Sequence, residues 1–564
     1  MMKLKSMNKL SLLGGAITLL ATLPNATLQA QSHAKDTTMN RTVVVEQQYN
    51  PDIMDAQKVN VLPTINELTS TPNEVEYDRN ATPATVLPGT AMAAYAGEEK
   101  QHLAKQGYLR AGYGNIGNLD LEGNYLFNLA AKDKLNFALG MQGMDGKVHY
   151  PNISEKWDSR FYRTKAGVDY IHQFNALDLN VAGNFGLSNF NYMPGFLMNH
   201  QRFTSGDVRF GIKSTDQSLP MHFKLESGLY LYGRAHNRYT PDREDSFNET
   251  SVRTKGDFTG DLDENQQVGV AFEMNNMFYN NDEFENYTTL LLKPYYEFKE
   301  EDVWKLHLGV NADLAFGYGK KLRVSPDIKA EYTISEGYVL YANATGGRML
   351  NDFRRLEQFN PYGELLWQNT DSYEQLNASL GFKMSPAAGF WLNVYGGYQV
   401  IKDELYNERN RIFPDPMLPD HFRVISFEQT KTSNFFVGLQ ANYSYKNIFN
   451  FMAKGQYADW DADEQLALAY KPEFRLDLQT GVRPVSQLGI NLNYVFMIRT
   501  KQELLGATRK ESNLSNLSLG ATYDLFDGVS IYARASNLLN RKASYYMDSP
   551  VPGINFLGGV IFSF

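Results

Sequence analysis

Long runs with an apolar residue at every second position limit the possible folds of this chain more than any other feature. One run covers 177–187, and similar runs cover 306–316, 474–482 and 488–498. Successive side chains of a β-strand point to opposite faces, so each run predicts a strand with one apolar face and one mostly polar or small face. In the first run the apolar positions are Leu177, Leu179, Val181, Phe185 and Leu187.

The length of these runs indicates strands that cross a membrane. Most have 11 to 15 residues, whereas strands of globular proteins usually have about 5–6. A tilted strand crosses a bilayer in about 9–11 residues. The pattern therefore predicts an all-β fold, a transmembrane antiparallel β-barrel. The alternative is a large soluble β-protein such as a propeller, but no repeat of about 40–50 residues is visible.

The number of strands follows from the connections between them. The runs give 23 candidates, from 107–114 to 554–564, and bacterial single-chain barrels have an even number. The connectors 404–420 and 431–433 both fall on the side of the long loops, so the run 421–431 between them is not expected to cross. We expect about 22 strands, one long loop over 404–432, and both termini on the periplasmic side with the short turns.

The N-terminus predicts export. Lys3, Lys5 and Lys9 precede an apolar run over 10–23, which is too short for a membrane-spanning helix. Residues 1–30 therefore read as a signal peptide cleaved after Ala30. An extended periplasmic N-terminal segment is predicted over 31–106 and the barrel over 107–564. The location predicted is the outer membrane of a Gram-negative bacterium, in contact with its lipid.

Composition removes several function classes. The chain has no cysteine, which excludes a lipoprotein anchor, thiol catalysis and cysteine zinc sites. A net charge of -9 argues against a nucleic-acid partner. The nine histidines form no HExxH motif. We predict no catalytic residue, no cofactor and no metal site, and therefore no enzyme.

Two short motifs suggest ligand binding but stand in the wrong context. Gly112, Gly114 and Gly117 match GxGxxG, but the strand pattern resumes afterwards where a dinucleotide site needs a helix. Residues 115–118 are better explained as a hairpin turn. Asp459, Asp461 and Asp463 have calcium-loop spacing, but Glu464 occupies the required glycine position. A solvated acidic loop is favoured there over a surface calcium site.

The C-terminal region resembles a known family. Phe556, Val560, Phe562 and Phe564 lie on one face of the last strand, and the chain ends on Phe. This resembles the signal by which outer-membrane barrels are recognised for assembly. The segment 536–540 (SNLLN), followed by two tyrosines, resembles the ending of TonB-dependent receptor barrels. The family also has 22 strands. The resemblance covers 107–564 and implies transport or uptake across the outer membrane.

The N-terminal segment resembles the family in one place and departs from it in another. Thr42, Val43, Val44, Val45 and Glu46 resemble the box that pairs with the periplasmic TonB protein by strand addition. The alternative is a β-prone stretch in a flexible tail. The following residues 49–60 look like the leader of receptor-like barrels from Bacteroidota.

The family's glycine-rich plug domain is expected to be missing. Residues 31–106 contain only two glycines, Gly89 and Gly97, and their spaced prolines favour an extended chain. A wide lumen is normally plugged, so this segment, loop 350–372, loop 404–432, inward side chains or a partner must fill it. Loop 350–372 carries Arg354, Arg355, Tyr362 and Trp367. Loop 404–432 likewise carries arginines and aromatic residues. Both loops are expected to fold inward, to dock a partner or to stay solvated.

Two functions therefore remain open. The first is an uptake barrel coupled to TonB. The second is a non-transporting scaffold or subunit of an outer-membrane complex, in which residues 31–106 bind another periplasmic protein. An outer-membrane lipoprotein is a further candidate partner.

Overall fold

Most of the described part of the chain is β-strand. The computed structural model describes residues 105–149, 156–193, 200–216, 218–236, 246–300, 303–411, 423–504, 507–547 and 549–564. The first strands are β1 (Gly107–Gly114), β2 (Leu119–Ala130), β3 (Asp133–His149), β4 (Lys156–Gln173), β5 (Leu177–Asn191), β6 (His200–Ser214), β7 (Met221–Arg234), β8 (Phe247–Asp263), β9 (Gln266–Tyr279), β10 (Tyr287–Glu300), β11 (Trp304–Phe316), β12 (Leu322–Ser335) and β13 (Tyr338–Met349).

The second half of the chain adds two short helices and two short pairings to the long strands. The helices are α1 (Phe353–Phe359) and a 3-10 helix (Gln465–Leu468). The strands are β14 (Gly363–Glu364), β15 (Ser372–Ala387), β16 (Phe390–Arg411), β17 (Arg423–Tyr445), β18 (Phe449–Ala462), β19 (Pro472–Val485), β20 (Leu488–Arg499), β21 (Gln502–Leu504), β22 (Ala507–Arg509), β23 (Leu514–Phe526), β24 (Val529–Ser536) and β25 (Asn555–Ser563).

The long strands close into one barrel. The main sheet has 23 strands. One of them, β14, pairs in parallel with β17 beyond the end of the β17–β18 ladder, which leaves 22 antiparallel strands in the wall. Closure comes from β1 and β25, which pair from Tyr108 with Ser563 to Gly114 with Leu557. The predicted fold class and the number of strands are confirmed.

The two ends of the barrel differ in the length of their connections. One end has short turns, such as 264–265, 388–389 and 527–528, and it also holds the start of β1 and the end of β25. The other end has long connections, including 350–371 and 537–554. Outer-membrane barrels have short periplasmic turns and longer extracellular loops, so the long connections mark the extracellular end.

The outward face of the wall is apolar. On β17, Phe435, Val437 and Leu439 are all largely exposed although they are large and apolar. Such a band of side chains at every second position is the surface that lipid covers in a barrel.

Among the residues that the structure describes, no helix is long and apolar enough to cross a membrane.

The predicted loop over 404–432 is wrong. The runs 421–431 and 433–446 belong to a single strand, β17, which pairs with β16 from Phe390 and Tyr443 to Arg411 and Arg423. A register shift between Ile401 and Glu404 interrupts this ladder, and Asp403 adopts a positive φ of 53° there. Because a bulge inserts an unpaired residue, the alternation of apolar residues is interrupted here, and the sequence shows two runs where the structure has one strand. The total of 22 strands holds because the two runs merge into one.

The last predicted hairpin also ends earlier than expected. The alternation of apolar residues predicts a strand over 528–541, but β24 stops at Ser536. Asn537 and Asn540 then take positive φ values of 51° and 49°, a conformation that asparagine tolerates better than most residues. The asparagines of this motif therefore end the strand and start the long connection 537–554.

Candidate functional site: a loop that crosses the lumen

The connection between β13 and β15 folds into the barrel. We call residues 350–371 the inner loop. It contains α1, whose side chains Phe353 and Leu356 are buried. Asp352 caps this helix by accepting a hydrogen bond from the backbone N–H of Arg355 at 2.8 Å. The helix ends at Asn360, whose N–H donates to the carbonyl of Leu356.

Glu357 is the central contact between the inner loop and the wall. Its Oε1 accepts hydrogen bonds from Arg163 on β4 at 3.0 Å and from Ser188 on β5 at 2.7 Å. Its Oε2 accepts one from the hydroxyl of Tyr232 on β7 at 2.7 Å. Charged hydrogen bonds of this kind are the stronger ones in proteins, so one carboxylate ties the helix to three strands.

Further ion pairs hold the inner loop to the next strands. Arg354 pairs with Asp207 on β6 at 3.0 Å. Arg253 on β8 pairs with the cap residue Asp352. In these two pairs and that of Glu357 with Arg163, the inner loop supplies one cation and two anions. Glu364 adds a third anion, 3.5 Å from Arg234 on β7.

The extension of β16 and β17 beyond Asp403 holds the inner loop through amide groups. Asn360 donates to the side chain of Asn407 on β16 at 3.0 Å, and Asn369 donates to the carbonyl of Phe427 on β17 at 3.0 Å.

Since β14 is not part of the wall, β16 is the fifteenth wall strand, eleven places from β4 in a barrel of 22. Glu357 and Asn360 are only three residues apart, however, which spans about 11 Å at most. Asn407 and Phe427 lie beyond the last pairs of β16 with β15 and of β17 with β18. The extension of β16 and β17 past Asp403 therefore reaches the inner loop, and the two together bridge the lumen.

An aromatic cluster seals these contacts against the wall. Tyr362 packs against Phe190 with ring centroids 5.3 Å apart, and Phe353 packs against Tyr232 at 6.0 Å. Aromatic pairs of this geometry contribute about 0.5–1.5 kcal/mol beyond their buried area. The buried members are Trp157, Phe190, Tyr192, Phe203, Tyr232, Phe247, Phe284, Phe353, Leu356, Tyr362, Leu365, Leu405, Ile425, Phe427 and Tyr546.

Burial also changes the acidity of groups in the inner loop. It raises the pKa of the Tyr362 phenol well above its usual value, so this side chain is neutral at physiological pH. Burial raises the pKa of the Asp371 carboxyl as well, opposed by the N–H of Asn351 and by Arg348. These donors lie 3.0 and 3.1 Å from its oxygens.

The residues predicted as functional fall in three places. Thr42, Val43, Val44, Val45 and Glu46 lie outside the described residues. Phe556, Val560 and Phe562 lie on β25, and Phe564 follows it at the seam with β1. Of the residues named in loop 350–372, Arg354 pairs with Asp207 and Tyr362 packs against Phe190 inside the barrel. Trp367, in contrast, is 44% exposed.

The two motifs judged unsuitable for ligands lie in the wall. Gly112 and Gly114 are in β1, and Gly117 has a φ of 62° in the turn that follows. Asp459 and Asp461 are in β18. Within the described ranges, no group of three or more His, Asp or Glu side chains has a metal-binding arrangement.

The partners of the inner loop could not be found from sequence. No motif marks Glu357, Asp352 or Asn360, because their partners on β4, β8 and β16 are distant in sequence. The one signal available was the polar and aromatic composition of the loop, which a solvated loop shares.

Comparison with known proteins gives likeness in structure alone. No protein-family model matches the sequence, and no curated protein matches it. Among solved structures, the FrpB iron transporter from Neisseria meningitidis has a TM-score of 0.63 at 12% identity, covering 81% of each chain. The siderophore receptor PirA from Acinetobacter baumannii has a TM-score of 0.63 at 9% identity, covering 81% of this chain and 80% of that one.

A third solved structure differs in its cargo. The copper transporter OprC has a TM-score of 0.58 at 13% identity, covering 81% of this chain and 80% of its own. All three are TonB-dependent outer-membrane receptors. The chain has the fold of a TonB-dependent receptor barrel. These three neighbours are transporters and a receptor, and a likeness at 9–13% identity shows a shared fold.

Proposed function

We propose that the protein takes up a small solute across the outer membrane, and that the inner loop closes its lumen until transport occurs. The likeness to outer-membrane transporters supports the uptake role and does not favour a non-transporting scaffold. The observation that carries the proposal is the inner loop itself, held to the wall by Glu357 and to the extension of β16 and β17 by Asn360.

The contacts of the inner loop are of a kind that breaks and re-forms, as a loop that opens during transport requires. Its polar anchors are ion pairs and hydrogen bonds from side chains, which water replaces at modest net cost. Within the described residues, its strand pairing with the barrel is limited to the two-residue match of β14 with β17. A segment held in this way is able to detach without breaking the barrel ladder.

In this proposal the inner loop takes the place of a globular plug. The segment 31–106 is poor in glycine and rich in proline, which supports an extended periplasmic chain. Its residues Thr42–Glu46 are proposed to pair with TonB by strand addition. Another periplasmic protein, or an outer-membrane lipoprotein, is the proposed partner if TonB is not.

Growth of complemented cells tests the proposed function. A strain lacking the gene would be complemented with the full chain or with a chain lacking 42–46. Growth would be compared under iron limitation, under copper limitation and on a panel of small organic acids. Heat-dependent migration of the barrel on gels would verify equal assembly.

We expect the gene deletion to slow growth in one of these conditions, and the chain lacking 42–46 to restore less growth than the full chain. Full growth of the deletion strain in every condition would contradict uptake. Full rescue by the shortened chain would contradict only the proposed coupling to TonB through 42–46, and not the uptake function.

A further inference from the structure

A separate cavity lies beside the inner loop. It has a volume of about 430 Å³, within the range of sites that hold small molecules. Its wall includes the inward positions of β20, namely Asn491, Asn493, Val495, Met497 and Arg499. Tyr545 and Tyr546 of the connection 537–554 border it, and Phe359 of α1 lies at its side.

The lining of this cavity is rich in cations. Arg110, Lys471, Arg475, Arg499 and Arg534 line it, and Asp120 is the acidic residue of the lining. Arg110 pairs with Asp120 at 3.0 Å, Lys471 pairs with Glu404, and Arg475 pairs with Asp477 at 2.7 Å.

Arg499 differs from the other cations. Its guanidinium donates to the carbonyl oxygens of Tyr470, Ser544 and Tyr545. Within the described part of the chain it forms no ion pair with a carboxylate, and only 3% of the residue is exposed. A buried charge without a counter-ion is costly.

Three donors at this cavity have no acceptor. The Nε of Arg499, the Nε of Arg110 and the hydroxyl of Ser536 are buried without a hydrogen-bond partner in the described ranges. All three residues line the same cavity. A buried polar group left unpaired costs about 1–3 kcal/mol, so a ligand that supplies acceptors and negative charge is stabilised here.

The remaining lining suits a flat apolar body. Besides the residues already named, Tyr406, Tyr470 and Tyr532 contribute aromatic rings. Rings stack on planar ligands, and guanidinium groups bind carboxylate or phosphate in a matching plane.

We propose that this cavity binds a small organic anion, in which a carboxylate or phosphate is attached to a planar, aromatic body. The anion contacts Arg499, Arg110 and Ser536. Its role as the transported solute rests on the uptake function proposed above, whereas its binding does not.

Calorimetry on the purified full-length protein in detergent tests this site. The probes are phenyl phosphate, benzoate, inorganic phosphate and the neutral benzyl alcohol. Arg499→Lys keeps the charge but removes the Nε donor, and Ser536→Ala removes only a hydroxyl. The matched control is Arg209→Lys on β6, an inward arginine that does not line the cavity. Its Nε is also buried without a hydrogen-bond partner in the described ranges, although it lies 3.4 Å from Asp207.

We expect saturable binding of phenyl phosphate or benzoate, at least tenfold weaker in Arg499→Lys, several-fold weaker in Ser536→Ala and unchanged in Arg209→Lys. If Arg499→Lys fails to fold, Arg110→Lys replaces it, with the same expectation. Binding of benzyl alcohol with equal affinity, or of inorganic phosphate alone, would overturn the proposed ligand class.

Other results would overturn the site. No binding of either aromatic anion, or binding that Arg499→Lys, Ser536→Ala and Arg110→Lys all leave unchanged, would show that water or another site satisfies these donors. Binding as expected in cells whose growth never depends on the protein would preserve this site and contradict the uptake function.

Discussion

Glu357 and Arg163 lie 3.0 Å apart although 194 residues separate them along the chain. Arg163 belongs to the barrel wall, and Glu357 belongs to a helix inside it. The pair is mostly buried, with 15% and 13% of the side chains exposed. Because a second set of contacts joins the inner loop to the extension of β16 and β17, which comes from the opposite wall, this pair is one end of a bridge across the lumen.

Replacing Glu357 by glutamine is expected to loosen the bridge. The change keeps the volume but removes the charge that Arg163, Ser188 and Tyr232 share. The loss of a charged hydrogen bond costs about 1.5–3 kcal/mol. Cells with Glu357→Gln should become several-fold more sensitive to vancomycin, measured as a minimum inhibitory concentration.

Glu331→Gln is the matched control for this change. Glu331 pairs with Lys383 within the wall at 2.9 Å and does not touch the inner loop. Its replacement should leave sensitivity as in the wild type. Equal sensitivity of both variants would mean that the Glu357 contacts do not hold the lumen closed.

Replacing the cap residue Asp352 by alanine should expose the inner loop to proteolysis. The change removes the bond to the N–H of Arg355 and leaves Arg253 without its partner. Loss of an N-cap costs about 0.5–2 kcal/mol. Trypsin should cut after Arg354 or Arg355 faster than in the wild type, as mass spectrometry of the fragments would show.

Asp216→Ala tests whether that cleavage is specific. Asp216 accepts a comparable bond from the N–H of Ser218 at 2.9 Å, but in a short-turn connection at the other end. Its replacement should not change cleavage at Arg354 and Arg355. Cleavage at the same rate in all three proteins would contradict the capping role.

The C-terminal aromatic residue is expected to affect assembly. Phe564 and Gly107 exchange backbone hydrogen bonds of 3.0 and 2.9 Å at the seam, and the Phe564 ring stacks on Tyr125 at 5.5 Å. Phe564→Ala keeps the backbone bonds but removes the ring of the predicted signal. The folded fraction in outer membranes, measured by heat-dependent migration, should fall several-fold.

Phe526→Ala provides the comparison for assembly. Phe526 ends β23 at the same end of the barrel and is 66% exposed. Its replacement should leave the folded fraction near that of the wild type. An equal loss in both variants would point to lost apolar surface rather than to a terminal signal.

The wall was predictable from the sequence because lipid imposes its pattern locally. Each crossing strand needs an apolar residue at every second position, so the strands and their order could be read without tertiary information. The length of the β16–β17 hairpin was mispredicted because the bulge near Asp403 interrupts the alternation of apolar residues.

The inner loop was not predictable for a different physical reason. Arg354 and Glu357 suit a solvated loop equally well, and only their partners Asp207 and Arg163 show that they face inward. These partners become neighbours through closure of the barrel, which no local pattern in the loop records. The same holds for Arg499, two of whose three acceptors lie in the connection 537–554.

Conductance in planar lipid bilayers tests most directly whether the inner loop closes the lumen. Met349 and Ser372 face each other on neighbouring strands, so a short Gly–Ser linker is able to replace residues 351–370 without disturbing the wall. We predict little conductance for the wild-type protein and large, stable channels for the variant, with equal barrel assembly in both. Equal conductance in the two proteins would contradict the account, because the lumen would then be open already or closed by another part of the chain.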